Sequence, residues 1–167
     1  LLKYLKDTQK RSLSHINQIS FSEESSIMQL DLNTRKNLEL TETLRDRKKR
    51  GSLISVLDHT STCMGGRLFR NWLMNPLQNE KEINERLDSI EEIMANIIIR
   101  EDLNKKIKNI TDVERIAGRI AYGNFNPKDA LSLKNASELL PEIFNILKKF
   151  NSQKLSKFCK DFDVLSD

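Results

Sequence analysis

Residues 77–117 contain neither glycine nor proline, and this uninterrupted stretch constrains the fold more than any other feature of the chain. It lacks the two residue types that most strongly punctuate helices. Within it Ile83, Leu87, Ile90, Met94 and Ile97 recur at intervals of three and four. That spacing stacks side chains on one face of an α-helix and predicts that the face is buried, with Leu87 and Ile90 as structural residues at its centre. Leu103, Ile107 and Ile110 carry the pattern onward after an expected break near Arg100.

Helix starts and stops punctuate the rest. Thr111 and Glu114 form a capping box, opening a helix with Val113, Ile116, Ala117, Ile120 and Ala121 inward. Gly123 is placed to end it in the left-handed conformation. Asn126-Pro127 is an N-cap followed by proline at the first helical position. Pro141 and Ser152 are read as two further helix starts, the last helix burying Leu155, Phe158, Cys159 and Phe162. Upstream, Asp31 caps a helix reaching about Leu44, with Leu38, Leu40 and Leu44 available for the core. Ser52 caps a short helix with Leu53, Ile54, Val56 and Leu57, and Thr60-Ser61-Thr62 offers a cap for the next. On that helix Leu68, Trp72 and Leu73 form an apolar face, and Asn75-Pro76 ends it. Asn79 with Glu82 resembles a further capping box. Trp72 is the only tryptophan, and we expect it, with Leu68, to anchor a junction of helices. Leu1-Leu2-Lys3-Tyr4-Leu5 reads as the end of a helix, and residues 27–30 as at most one short strand. Five glycines and three prolines are few for an all-β chain of this length. The expected fold is all-α, an irregular bundle of about seven or eight helices.

A chain of 167 residues can bury a sizeable core without disulfides or a metal, and 38% hydrophobic with 31% charged residues suits amphipathic helices. Cys63 and Cys159 are far apart and provide no disulfide framework, which makes a reducing, cytoplasmic setting the default. No apolar run approaches a membrane span, and the first residues lack a secretory pattern. The first methionine is Met28, and we read the chain as a segment of something longer.

The net charge of +4 is concentrated in Arg45-Asp46-Arg47-Lys48-Lys49-Arg50, so the remaining residues sum to zero. Arg47, Lys48, Lys49 and Arg50 are weak candidates for DNA contact. A single short run beside Gly51 reads more readily as a solvated loop than as the basic stripe of a nucleic-acid binder.

Other constellations are incomplete. His59 and Cys63 have the spacing of two ligands on one helix face, but a structural zinc site wants four, and His15 and Cys159 lie in distant segments. Asp58-His59 has no evident nucleophile to activate. Gly118 and Gly123 match the first half of a phosphate loop, yet Asn124-Phe125 stand where lysine and a hydroxyl residue belong. Gly118 is expected instead to let a neighbouring helix approach. The pairs Arg67/Arg70 and Arg115/Arg119 are expected to meet carboxylates of the same domain rather than an anionic ligand. No catalytic, cofactor or metal residue is assigned.

Several stretches together resemble the core, or lever, domain of the MutS mismatch-repair ATPases. Leu1-Leu2-Lys3-Tyr4-Leu5-Lys6-Asp7-Thr8-Gln9 is similar to that family's passage out of its connector domain. Asp31 with Thr34-Arg35-Lys36-Asn37-Leu38-Glu39-Leu40 resembles its Asp-x-x-Thr-Arg-x-Asn-Leu-Glu run. The most specific stretch is Ser52-Leu53-Ile54-Ser55-Val56-Leu57-Asp58, Thr60, Thr62, Met64-Gly65-Gly66-Arg67-Leu68, Arg70 and Trp72-Leu73. Pro76-Leu77, Arg86-Leu87, Asp112-Val113-Glu114-Arg115, Arg119 and Asn126-Pro127-Lys128-Asp129 continue it, so that the resemblance covers roughly residues 1–145.

The resemblance implies that residues 1–150 are the lever domain, beginning at the end of the connector, and that residues 151–167 start the helices leading toward a DNA-gripping clamp. It implies a parent that is a dimeric ATPase using ATP and magnesium, binding mismatched double-stranded DNA, a second MutS subunit and a MutL-type protein. Within that parent this segment would couple nucleotide state to DNA clamping and would itself be no enzyme. Phe21-Ser22-Glu23 imitates the family's mismatch-reading Phe-x-Glu but follows the connector junction, so that role is not carried over. A stand-alone helical adaptor and a weak, non-specific nucleic-acid-binding module are the competing readings.

Overall fold

The computed structural model describes residues 26–163, in which eight α-helices follow one another. They are α1 Leu32–Asn37, α2 Leu53–Leu57, α3 Cys63–Met74, α4 Glu80–Ala95, α5 Ile97–Lys108, α6 Val113–Ala121, α7 Pro127–Leu147 and α8 Gln153–Asp161. The fold is all-α. The only extended pairing outside them, among the described residues, is a single antiparallel bridge between Ile27 and Leu77. The helix-like Leu1–Leu5 and the Phe21-Ser22-Glu23 run lie outside the described residues.

Most helices begin where a short polar side chain can satisfy an orphan amide. Asp31, Thr62, Asn79 and Asp112 accept from the amides of Thr34, Gly65, Glu82 and Arg115. Asn126 and Asp129 form a reciprocal capping box at the start of α7, with Pro127 in its first turn. At the end of α6, Gly123 takes a positive φ of 73°.

The core lies where α5 and α7 pack together and α4 and α8 close over them. Leu103, Ile143, Ile146, Leu147 and Phe150 are buried there, and Ile93, Ile99, Ile107, Ile110, Leu139, Leu155 and Cys159 pack around them. Ile116 is buried on α6, which packs against α7. A second small region holds α1 and α2 together. The amides of Leu53 and Ile54 donate to the carbonyls of Glu39 and Leu40, and Leu40 and Ile54 are both buried.

Several expectations need correction. α1 stops at Asn37 rather than near Leu44, because Glu39 turns into the left-handed region (φ 47°) and its carboxylate accepts from the Leu44 amide. Burial of Leu40 rewards that turn, while Leu38 and Leu44 stay exposed. Ser52 sits at the cap position of α2 but donates its hydroxyl backward to the Lys49 carbonyl, so it makes no side-chain cap. The break after α4 falls at Asn96 rather than near Arg100. The cap of α6 is Asp112, while Thr111 donates across to the Ser132 carbonyl. Pro141 starts no helix; α7 runs through it, keeping buried Ala136 and Ile143 on one continuous helix. The lost backbone bond at a proline normally disfavours this, and apolar burial on both sides offsets it.

The expected buried face of α4 is open. Ile83, Leu87, Ile90 and Met94 are all exposed, as are Ile97 at the start of α5 and Leu68 and Trp72 on α3. Truncating Ile143 to alanine should therefore cost about 2–5 kcal/mol, as for other large apolar core residues. Leu87→Ala should stay within about 0.5 kcal/mol, as surface changes do. Chemical denaturation of the two variants measures the contrast.

Candidate functional site

The basic run occupies the loop between α1 and α2. Thr43 and Lys48 close it through a backbone bond, and Arg47 donates its amide to the Thr43 carbonyl while adopting φ 50°. Gly51 follows at φ 97°, and a β-carbon there would lie 3.1 Å from the Thr43 methyl, so the turn favours glycine. This geometry turns Arg45, Arg47, Lys48 and Arg50 outward as exposed residues. Lys49 is drawn instead into an ion pair with Asp58 at 3.1 Å. The Thr60 hydroxyl and Lys49 hold the Asp58 carboxyl below its ordinary pKa. The candidate contact surface is thus a tight, solvated turn rather than a stripe along one face.

The arginines build joints between helices. Arg67 on α3 makes two parallel bonds of 2.8 Å to the Asp112 carboxylate at the start of α6. It also reaches Glu114, in the first turn of the same helix, at 2.5 and 3.1 Å. Arg115 approaches the same Asp112 at 3.4 Å. Asp112 carries both the helix cap and the bidentate pair, and its pKa falls to about 2, chiefly through the Arg67 bonds. Arg67 is correspondingly pushed above its ordinary value, first by Asp112 and then by Glu114. Arg119 on α6 bonds Asp129 at 2.5 Å, and Asp129 is buried in the capping box of α7. Arg70 makes no ion pair among the described residues and stays exposed. Lys106 on α5 pairs with Glu142 on α7 across the core seam.

An open apolar cleft of about 230 Å³ lies between α4 and α8, lined by Trp72, Arg86, Ser89, Ile90, Ile93, Lys154, Leu155 and Phe158. The Arg86 guanidinium covers the Trp72 ring at 4.0 Å, a cation–π contact. Trp72 is still 38% exposed, Leu68 50%, Ile90 50% and Leu87 54%. Trp72 and Ile90 line the cleft half-covered rather than enclosed, and Leu68 and Leu87 are exposed on the same two helices. Gly118 also departs from expectation, since a β-carbon there would meet nothing within 4 Å. α6 turns Ile116 toward α7 and leaves Gly118 off that contact. Gly118 therefore lies inside a helix and Gly123 ends it, an arrangement unlike a phosphate cradle. No group of three or more His, Cys, Asp or Glu is placed to hold a metal ion among the described residues, and His59 and Cys63 are both exposed.

Comparison with known proteins bears directly on these joints. The profile of MutS domain III matches residues 33–165, a span that includes every joint residue named above. The chain belongs to the MutS domain III family. It is 46% identical over its whole length to the DNA mismatch repair protein MutS of Alkaliphilus metalliredigens, covering 19% of that protein. It is 48% identical to the MutS of Clostridioides difficile, covering 18%, and 46% identical to that of Clostridium kluyveri, covering 19%. The chain thus spans about a fifth of the length of these MutS relatives. Its family-like runs, Arg67 in one and Asp112-Val113-Glu114-Arg115, Arg119 and Asp129 in others, are the ones that supply the joints.

The depressed Asp112 pKa has a pH consequence. The stability it contributes is present above the ordinary value of 3.8 and is lost as the pH falls through about 2. Asp112→Asn should therefore melt below the native protein at neutral pH, and the gap should narrow steadily from pH 4 toward pH 2. Melting curves across that range measure it; a gap that does not change with pH would contradict the assignment.

Proposed function

We propose that this chain is the lever of a longer MutS-type mismatch-repair ATPase, coupling nucleotide state in one part of that protein to its grip on DNA in another. The observation that carries the reading is the set of charged joints, Arg67 with Asp112 and Glu114, and Arg119 with Asp129, which tie α3, α6 and α7 into one frame. Packed helices joined in this way move as units between discrete arrangements, which is what a coupling element requires.

On this reading residues 1–150 form the lever beginning at the end of the connector, and residues 151–167 start the helices leading toward the clamp. The open apolar surface around Trp72, Leu68, Leu87 and Ile90 is then a seam against other parts of the longer chain. ATP and magnesium belong to the ATPase part of that chain, and the reading places the protein in the cytoplasm. Mismatched double-stranded DNA, a second MutS subunit and a MutL-type protein are the partners of the parent. Arg47, Lys48 and Arg50, with Lys49 partly engaged by Asp58, contribute at most salt-sensitive phosphate contacts that carry no sequence information.

The test is made in the full-length protein by breaking one joint. Arg67→Gln should leave ATP binding and nucleotide-free mismatch binding within about twofold, while slowing ATP-driven release from mismatched DNA about tenfold. A 1.4 kcal/mol coupling loss corresponds to that factor. Arg70→Gln, on the same helix but in no ion pair among the described residues, should leave all three unchanged. Normal release by a folded Arg67→Gln protein would overturn the lever reading.

A further inference from the structure

The start of α8 is capped from outside its own sequence. Ser152 stands at the cap position but makes no side-chain cap. Its place is taken by Glu92, on the far turns of α4, whose two carboxylate oxygens accept from the amides of Asn151 at 2.6 Å and Ser152 at 2.8 Å. One carboxylate thus satisfies two adjacent backbone donors and puts a negative charge at the positive end of α8, both favourable at a helix N-terminus. The amides hold the Glu92 carboxyl below its ordinary pKa, the Asn151 bond contributing most. Beside this contact Ile93 of α4 and Leu155 of α8 pack against the core, so the carboxylate sits at the edge of an apolar seam.

We propose that Glu92 is the latch through which α4 holds α8, making the direction of α8 depend on the position of α4. The inference rests on the lever reading, because its importance comes from α8 leading toward the clamp. In this geometry each amide meets its own carboxylate oxygen, and both bonds are charge-assisted. Glutamine keeps the size of glutamate but offers one oxygen and no charge, so Glu92→Gln should behave nearly like Glu92→Ala. An isosteric substitution that only needed to fill space would behave like the native residue.

The experiment uses the full-length protein. Amide hydrogen exchange in peptides spanning residues 150–155 should speed up about tenfold or more in both Glu92→Gln and Glu92→Ala, as for the loss of charge-assisted bonds. Exchange across α5 and α7 should stay unchanged. ATP-driven release from mismatched DNA should slow in parallel, with nucleotide-free mismatch binding preserved. Native exchange at residues 150–155 in Glu92→Ala would overturn the latch, and so would faster exchange with native release. Either result could coexist with slowed release in Arg67→Gln, in which case the lever reading stands without the latch. Normal release in Arg67→Gln would instead remove the lever reading itself.

Discussion

The α5–α7 seam is the contact on which the rest of the molecule depends. Leu103 from α5 meets Ile143, Ile146 and Leu147 from the end of α7, and Phe150 follows α7 to close the cluster. Each of these side chains is buried, and burying a residue of this size contributes about 1.5–3 kcal/mol. α4 and α8 reach the cluster from outside through Ile93, Leu155 and Cys159. α7 is also the element shared with α6. A helix that continues through Pro141 is the physical consequence, because stopping there would separate Ala136 from the residues that complete the seam.

Around that seam, orientation comes from charged groups that each serve two purposes. Asp112 caps α6 while gripping Arg67, and Asp129 caps α7 while gripping Arg119. Glu92 grips no cation among the described residues but caps α8 from a neighbouring helix. Arg67 and Arg119 remain partly exposed, and ion pairs open to solvent contribute little to stability one by one, about 0–1 kcal/mol each. Their geometry is more informative than their energy, since a bidentate arginine or a two-oxygen cap fixes an angle between helices. A domain whose role is mechanical coupling needs fixed angles more than it needs extra stability.

What could be read from the sequence follows from the range of the interactions. The starts of α1, α3, α4 and α7 were visible because a cap and its amide partner lie within three residues of each other. The Arg67 and Arg119 joints were visible only in kind, since abundant carboxylates made an internal partner the natural expectation without naming it. Glu92 was invisible because its partners lie 59 and 60 positions away and share no local pattern with it. The periodicity of Ile83, Leu87 and Ile90 correctly marks an apolar face but says nothing about what covers it, and in this chain the face is open. Pro141 misled because a local rule that reads proline as a helix start was outweighed by burial on either side of it. The MutS likeness was legible because its motif runs occur in order, and those in the described residues coincide with caps and joints that short-range chemistry already favours.

As a lever, this domain moves as one frame. That is tested most directly by the distance between α3 and α7 in the full-length protein as the nucleotide changes. Spin labels at Arg70 on α3 and Asn135 on α7, both exposed, would report it once Cys63 and Cys159 are replaced by serine. The account predicts the same narrow distance distribution without nucleotide, with ADP and with an ATP analogue, whether or not mismatched DNA is bound. A distribution that splits or shifts between those states would show the frame bending within itself, and would contradict the lever.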